Sequence, residues 1–259
     1  MADSDRRSPL HEQGLWTIPG PGVAGRLRFE RPAWIQGHRL KDCTVGAFTF
    51  FNSAGHTSAY RVHFGRYSQI GESSVLGPPE HPADWFSSHP FAFTRPRYLP
   101  DMYAMPEFAR LAPDADTPQQ DFVETRPQDT WIGHEAYIGA NSFVKRGVRI
   151  GAGALVGAHS VVTHDIPAYA IAVGSPARVI RLRFSEDIVE RFLALKWWLY
   201  DLAPHKQAVD FSRVEPTLDY FEQALAEGRL QRLAPPVAEM RRGEDGRYVV
   251  QPCASLMFD

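Results

Sequence analysis

Two histidine–proline pairs stand close together in this chain. His81 lies in the run Glu80-His81-Pro82-Ala83-Asp84-Trp85, and His89 follows in His89-Pro90-Phe91. An imidazole titrates near neutrality, which suits it to lift a proton from a hydroxyl or an amine. Three further histidines, His134, His159 and His164, offer nitrogens of the kind that hold a catalytic zinc with one position left open. Arg178 and Arg181 supply cations of the type that pair with phosphate oxygens. Each has a plainer alternative: a histidine solvated in a proline-rich loop, or a basic turn facing water. No serine or cysteine nucleophile constellation is evident, so direct attack is expected rather than a covalent intermediate on the protein.

The elements that must position these residues follow a period of six. Branched aliphatic residues recur at Ile132, Ile138, Val144, Ile150, Val156 and Val162. The next residue is Gly133, Gly139, Lys145, Gly151, Gly157 and Thr163, and four places after each aliphatic stand Ala136, Ser142, Val148, Ala154, Ser160 and Ile166. A helix would space its apolar residues by three and four, and a half-buried strand would alternate. A strict six predicts short strand, tight turn, short strand, stacked into a parallel β-helix. Glycine is expected here for the backbone angles of the turns. The same phase appears earlier in Phe64-Gly65, Ile70-Gly71 and Leu76-Gly77, with Ser68 and Ser74 at the small positions, and more raggedly in Val45-Gly46 and Phe51.

Between the two blocks, residues 78–130 break the period and are rich in proline and aromatics, including Trp85, Phe86, Phe91, Phe93, Tyr98 and Tyr103. A long excursion of that composition is expected to be packed and functional. After the repeats, Ser185 reads as a helix N-cap, with Ile188, Phe192, Leu195 and Leu199 as the inward stripe. A second helix is predicted from near Pro216 to Ala226, stopped by Gly228. The expected organisation is an arm with first strands over 1–44, the β-helix over 45–183 and a helical region with a tail over 184–259. Residues 1–26 and 229–259 signal weakly and are expected to be loose tails or arms reaching over a neighbour.

Composition narrows the function. The 28 basic and 30 acidic side chains among 259 residues leave no excess for binding nucleic acid. No apolar window spans a membrane, and the polar first stretch does not read as a secretory signal, so no membrane contact is expected. Two cysteines far apart, Cys43 and Cys253, make a reducing cytoplasm the expected compartment.

Trp131-Ile132-Gly133-His134, the hexapeptides to Val162, and Gly174-Ser175-Pro176-Ala177-Arg178-Val179-Ile180-Arg181 together resemble the hexapeptide-repeat acyltransferases. The His81-Pro82-Ala83-Asp84-Trp85 run, His89-Pro90-Phe91, and Phe184-Ser185 leading to Lys196-Trp197-Trp198 are similar to the xenobiotic acetyltransferase branch. That branch holds chloramphenicol, streptogramin and sugar O-acetyltransferases, and the resemblance covers about residues 45–205. It implies a mainly β fold, a left-handed parallel β-helix with C-terminal α-helices. It further implies a homotrimer that binds acetyl-coenzyme A between neighbouring prisms, needs no metal, and completes the acceptor pocket with the excursion loop.

His81 falls on the branch's catalytic histidine, which implies a general base. The branch usually has asparagine before it; Glu80 stands here, either to raise the basicity of His81 or to face solvent. Trp131 matches the position near the thiol, Ala140 and Ala158 the corners along the pantetheine arm, and Thr163 the adenosine end. Arg178 and Arg181 match the phosphate-facing positions, and His164 replaces a common lysine. Trp85, Phe86, Phe91 and Tyr98 are candidates for the acceptor pocket. The expected reaction is acetyl transfer to a hydroxyl of a sugar or sugar-containing molecule. Amino-sugar N-acetylation and antibiotic O-acetylation come next, and a zinc hydratase resembling γ-class carbonic anhydrase is the alternative of a different class.

Overall fold

The computed structural model describes residues 13–16, 23–35, 39–52, 56–113, 122, 129–243, 247–253 and 258. The chain winds into a three-sided coil of short parallel strands. The first face stacks Leu15–Trp16, Ala33–Trp34, Phe50–Phe51, Gln69–Ile70, Tyr137–Ile138, Leu155–Val156 and Ala170–Gly174 in that order. The second stacks the start of Arg39–Val45 on Ser58–Tyr60, Val75–Leu76, Phe143–Val144 and Val161–Val162. The third stacks the end of Arg39–Val45 on Val62–Phe64, Thr130–Ile132 and Arg149–Ile150. Three hexapeptides make one coil, so Ile132 pairs with Ile150, Ile138 with Val156 and Val144 with Val162.

The period of six follows from this register. All six aliphatic residues from Ile132 to Val162 are at most 2% exposed and fill the narrow interior. Backbone angles do not explain the glycine that follows. The residue with positive φ comes two places later and is Tyr67, Ser73, Glu135, Asn141 or His159. Glycine is required for space: a Cβ on Gly139 would stand 2.4 Å from the Ala158 nitrogen, and one on Gly71 2.3 Å from that of Ala140.

One corner carries a ladder of hydroxyls. Ser74 accepts the Ser142 N–H at 3.2 Å, Ser142 accepts the Ser160 N–H at 3.4 Å, and Ser160 accepts the Gly174 N–H at 3.1 Å. Ser74 donates to the Gly139 carbonyl and Ser142 to that of Gly157, both at 3.2 Å. A buried hydroxyl must be satisfied in this way, because an unpaired one costs about 1–3 kcal/mol.

Val23–Glu30 pairs with both Arg39–Val45 and Val237–Arg242, and the latter forms an antiparallel hairpin with Tyr248–Cys253. The described residues of 229–259 therefore pack on their own chain instead of trailing from it, with Met240 fully buried. The N-terminal strand is locked in by a buried ion pair, Arg66 Nε to Glu30 Oε2 at 2.7 Å, and Glu30 also accepts the Ala47 N–H at 3.0 Å.

The first C-terminal helix is Glu186–Leu195, with Ser185 at the N-cap, although the serine side chain makes no capping bond. The helix ends at Lys196, whose φ is 49°, so Leu199 belongs to the following turn, Trp197–Leu199. The second helix, Val214–Ala226, starts two residues before the expected Pro216, and Gly228 ends it with a φ of 68°. Leu195, Leu218, Phe221, Ala224 and Leu230 form their shared core. None of the helices among the described residues is long and apolar enough to cross a membrane.

Candidate active site

The excursion leaves and rejoins the coil at one corner, between the second and third faces. Gly77 ends the outgoing rung and Thr130 starts the returning one; a Cβ on Gly77, whose φ is 60°, would stand 2.8 Å from Thr130 Oγ1. Thr130 donates its N–H to the Arg61 carbonyl at 3.0 Å, and its hydroxyl accepts the Gly147 N–H at 3.1 Å. Arg146, in the neighbouring turn, donates from Nε to the Gly77 carbonyl at 3.1 Å and to that of Pro78 at 3.2 Å. Asp129 accepts from Arg61 Nε at 2.7 Å and pairs with His63 Nε2 at 3.1 Å. Burial opposes charge on Asp129, yet the bonds from His63 and Arg61 hold its carboxyl below the usual range. Sequence inspection missed Arg61, His63, Asp129 and Arg146, because they meet only through the stacking register.

Within the excursion, short helical turns begin at Pro90, Pro96, Pro100 and Pro106. Proline suits a first helical position because its missing N–H has no intrahelical partner to lose. His81 lies before them, exposed. Its Nδ1 is 2.7 Å from the Ser88 carbonyl, and its ring meets Phe93 edge-on at 4.9 Å. A carbonyl only accepts, so Nδ1 carries the proton and Nε2 presents its lone pair. The loop thus selects one tautomer of this ring. The Glu80 carboxylate pairs with Lys145 Nζ at 3.4 Å. His89 caps the turn Pro90–Phe93, its Nδ1 accepting the Phe91 N–H at 3.3 Å.

The four acceptor candidates have different neighbours. Trp85 packs edge-on against Phe122 at 5.7 Å and belongs, with Phe93, to the loop's own apolar centre. Phe86 is fully exposed at 105%. Phe91 leans on His89, and Tyr98 accepts a bond from Arg97 at 3.0 Å.

The donor candidates sort by face. Ala140 and Ala158 stack in successive coils at the corner between the first and second faces, where the His159 N–H donates to the Ala140 carbonyl at 2.9 Å. Thr163 stands at the opposite edge of the second face, its hydroxyl 2.9 Å from His164 Nδ1. Trp131 points outward from the third face, 38% exposed, its ring between His63 at 4.1 Å and the Arg149 guanidinium at 5.2 Å. Arg178 and Arg181 are exposed on Ala177–Leu182, the last strand of the first face, and each bonds a carbonyl at 2.9 Å beside its own position.

The histidines considered for zinc are not assembled into a site. His134 Nδ1 accepts the Arg66 N–H at 3.0 Å, and its ring stacks on Trp198 at 5.1 Å. Burial and the Arg66 charge push its pKa down to about 4. Among the described residues, no group of three or more histidine, cysteine, aspartate or glutamate side chains is arranged to hold a metal.

Residues 129–164 match the bacterial transferase hexapeptide family of six repeats. The chain is 33% identical over 181 residues to a chloramphenicol acetyltransferase of Escherichia coli, covering 69% of this chain and 76% of that protein. A second, from Morganella morganii, is 34% identical over 179 residues, 68% of this chain and 75% of that one. Among solved structures, PerB from Caulobacter crescentus, in complex with CoA and GDP-perosamine, is 18% identical with a TM-score of 0.41, over 66% of this chain and 73% of that one. The chain belongs to the hexapeptide-repeat acyltransferases, in their xenobiotic acetyltransferase branch. It is an acyltransferase, and its donor is acetyl-coenzyme A.

Proposed function

We propose that the protein acetylates a hydroxyl of a small, sugar-containing acceptor by direct attack on acetyl-coenzyme A, with His81 as general base. The observation that carries this is the 2.7 Å bond from His81 Nδ1–H to the Ser88 carbonyl, which leaves Nε2 free to accept the acceptor's proton. As the hydroxyl oxygen attacks the thioester carbon, its proton passes to Nε2. When the carbon–sulfur bond breaks, the same proton is delivered to the leaving thiolate.

The residues present suit such a donor. The stacked Ala140 and Ala158 leave an open small-residue corner along which an amide chain can lie, Trp131 offers an apolar edge for the thiol end, and Thr163 stands at the adenosine end. The exposed Arg178 and Arg181 offer charge to phosphates.

We read the coil as left-handed and the assembly as a homotrimer. Outward apolar residues support the assembly: Val75, Phe143 and Val161 stack on the second face, and Phe50 and Tyr137 are 41% and 38% exposed on the first. In a trimer the exposed Phe86 would reach a neighbour and join Trp85, Phe91 and Tyr98 around the acceptor.

A second acceptor, chloramphenicol, is favoured by the relatives named above. Thiol release from acetyl-coenzyme A, followed against sugars, nucleotide sugars, glycosylated antibiotics and chloramphenicol, separates the two. Saturable turnover with a sugar-bearing compound supports the first acceptor class, and turnover with chloramphenicol alone replaces it with the second.

A further inference from the structure

The first residues of the excursion are held by one hexapeptide turn. Arg146 is only 9% exposed, yet its Nε reaches two successive carbonyls, those of Gly77 and Pro78. Lys145, its neighbour, pairs with Glu80, the residue before His81. Burial and the nearby Arg61 charge pull the Arg146 guanidinium below its ordinary pKa, while Glu80 and Asp129 oppose that change. A cation kept in such a place needs a compensating role, because unpaired burial of charge is costly. The span that it holds leads straight into the base. Gly77 and Pro78 are bound to the coil, Glu80 is tethered to it, and His81 follows.

We propose that Arg146 is a positioning residue for acetyl transfer, fixing the root of the loop so that His81 Nε2 stands at one place above the coil corner. Lys145 and Glu80 add a second, weaker tether. The inference rests on His81 being the base. It adds a second group that the rate depends on, without contact to either substrate.

Four variants test it: Arg146→Gln, Arg146→Lys and His81→Ala as single substitutions, and Arg146→Gln combined with His81→Ala. Displacing a reacting group by an ångström costs up to about 100-fold in rate, so Arg146→Gln is expected to lower kcat by about 10- to 100-fold. The KM for acetyl-coenzyme A should stay within about two-fold, because donor binding is not touched. Backbone amides of residues 80–89 should exchange faster with deuterium, and those of the coil should not. Arg146→Lys, which keeps a cation and one donor group, should recover part of the rate. On the His81→Ala background, Arg146→Gln should cost nothing more, since two residues acting through one step are not additive. An equal further loss there, or unchanged exchange over 80–89, overturns the proposal. If His81→Ala keeps full turnover, the base assignment fails, and the exchange measurement still decides whether Arg146 holds the loop. Should Arg146→Gln fail to fold, Arg146→Lys carries the same comparisons.

Discussion

Several side chains have their chemistry set by what surrounds them rather than by type. His134 is neutral because its Nδ1 is occupied by the Arg66 N–H and because burial disfavours the imidazolium. The unfolded chain takes up a proton near pH 6.5 and the folded one only near 4, so the stability from this site is complete above pH 6.5 and is lost as pH falls toward 4. Unfolding in denaturant at stepped pH should show a drop of roughly 2–4 kcal/mol across that window. His134→Asn, which can accept the same N–H without titrating, should flatten the curve. Cys43 is a second case: burial pushes its thiol up to about 12, so it stays protonated. A maleimide should label one cysteine per native chain, Cys253, and two after unfolding, as counted by intact mass. Sequence alone could nominate His81 through its flanking motif. It could not supply the Ser88 carbonyl, which is seven residues on and carries no side-chain signal.

At the scale of the element, the turn has two requirements, and the sequence displays only one openly. Gly139 is needed because the next coil passes against its Cα, whereas the left-handed residue of that turn is Asn141, with a φ of 58°. Gly139→Ala is therefore expected to disrupt the stack and to cost more than about 3 kcal/mol. Ser142→Ala removes one donor and one acceptor from the hydroxyl ladder and should cost about 1–3 kcal/mol. Chemical denaturation of both variants checks the order, and a smaller loss for Gly139→Ala would contradict the packing account. The aliphatic period was legible because every rung repeats the same burial. The extent of the coil was less so: Leu15–Trp16 and Ala33–Trp34 stack on the first face without any hexapeptide signature. The excursion's composition announced packed aromatics, but Trp85 and Phe93 turn toward Phe122 and centre the loop on itself, a choice that only tertiary contacts make.

At the scale of the molecule, the proposed site draws on more than one chain. His81 and Phe86 face outward on the excursion, and the donor candidates stand on two edges and an outer face of the coil. A native mass spectrum should show three chains per particle, and a particle of one chain would remove the neighbour on which the proposed acceptor pocket depends. The fold supplies rigidity, because every coil is pinned by the one before it, and under the proposed mechanism the loop presents His81 from a root bound to that frame.

The most direct measurement is acceptor-dependent thiol release by His81→Ala beside the unaltered enzyme, with donor affinity determined on the same samples. Removing a general base costs about 10²–10⁴ in rate. A loss of that size with unchanged donor affinity is the predicted result, and turnover equal to that of the unaltered enzyme would contradict His81 as the group that takes the proton.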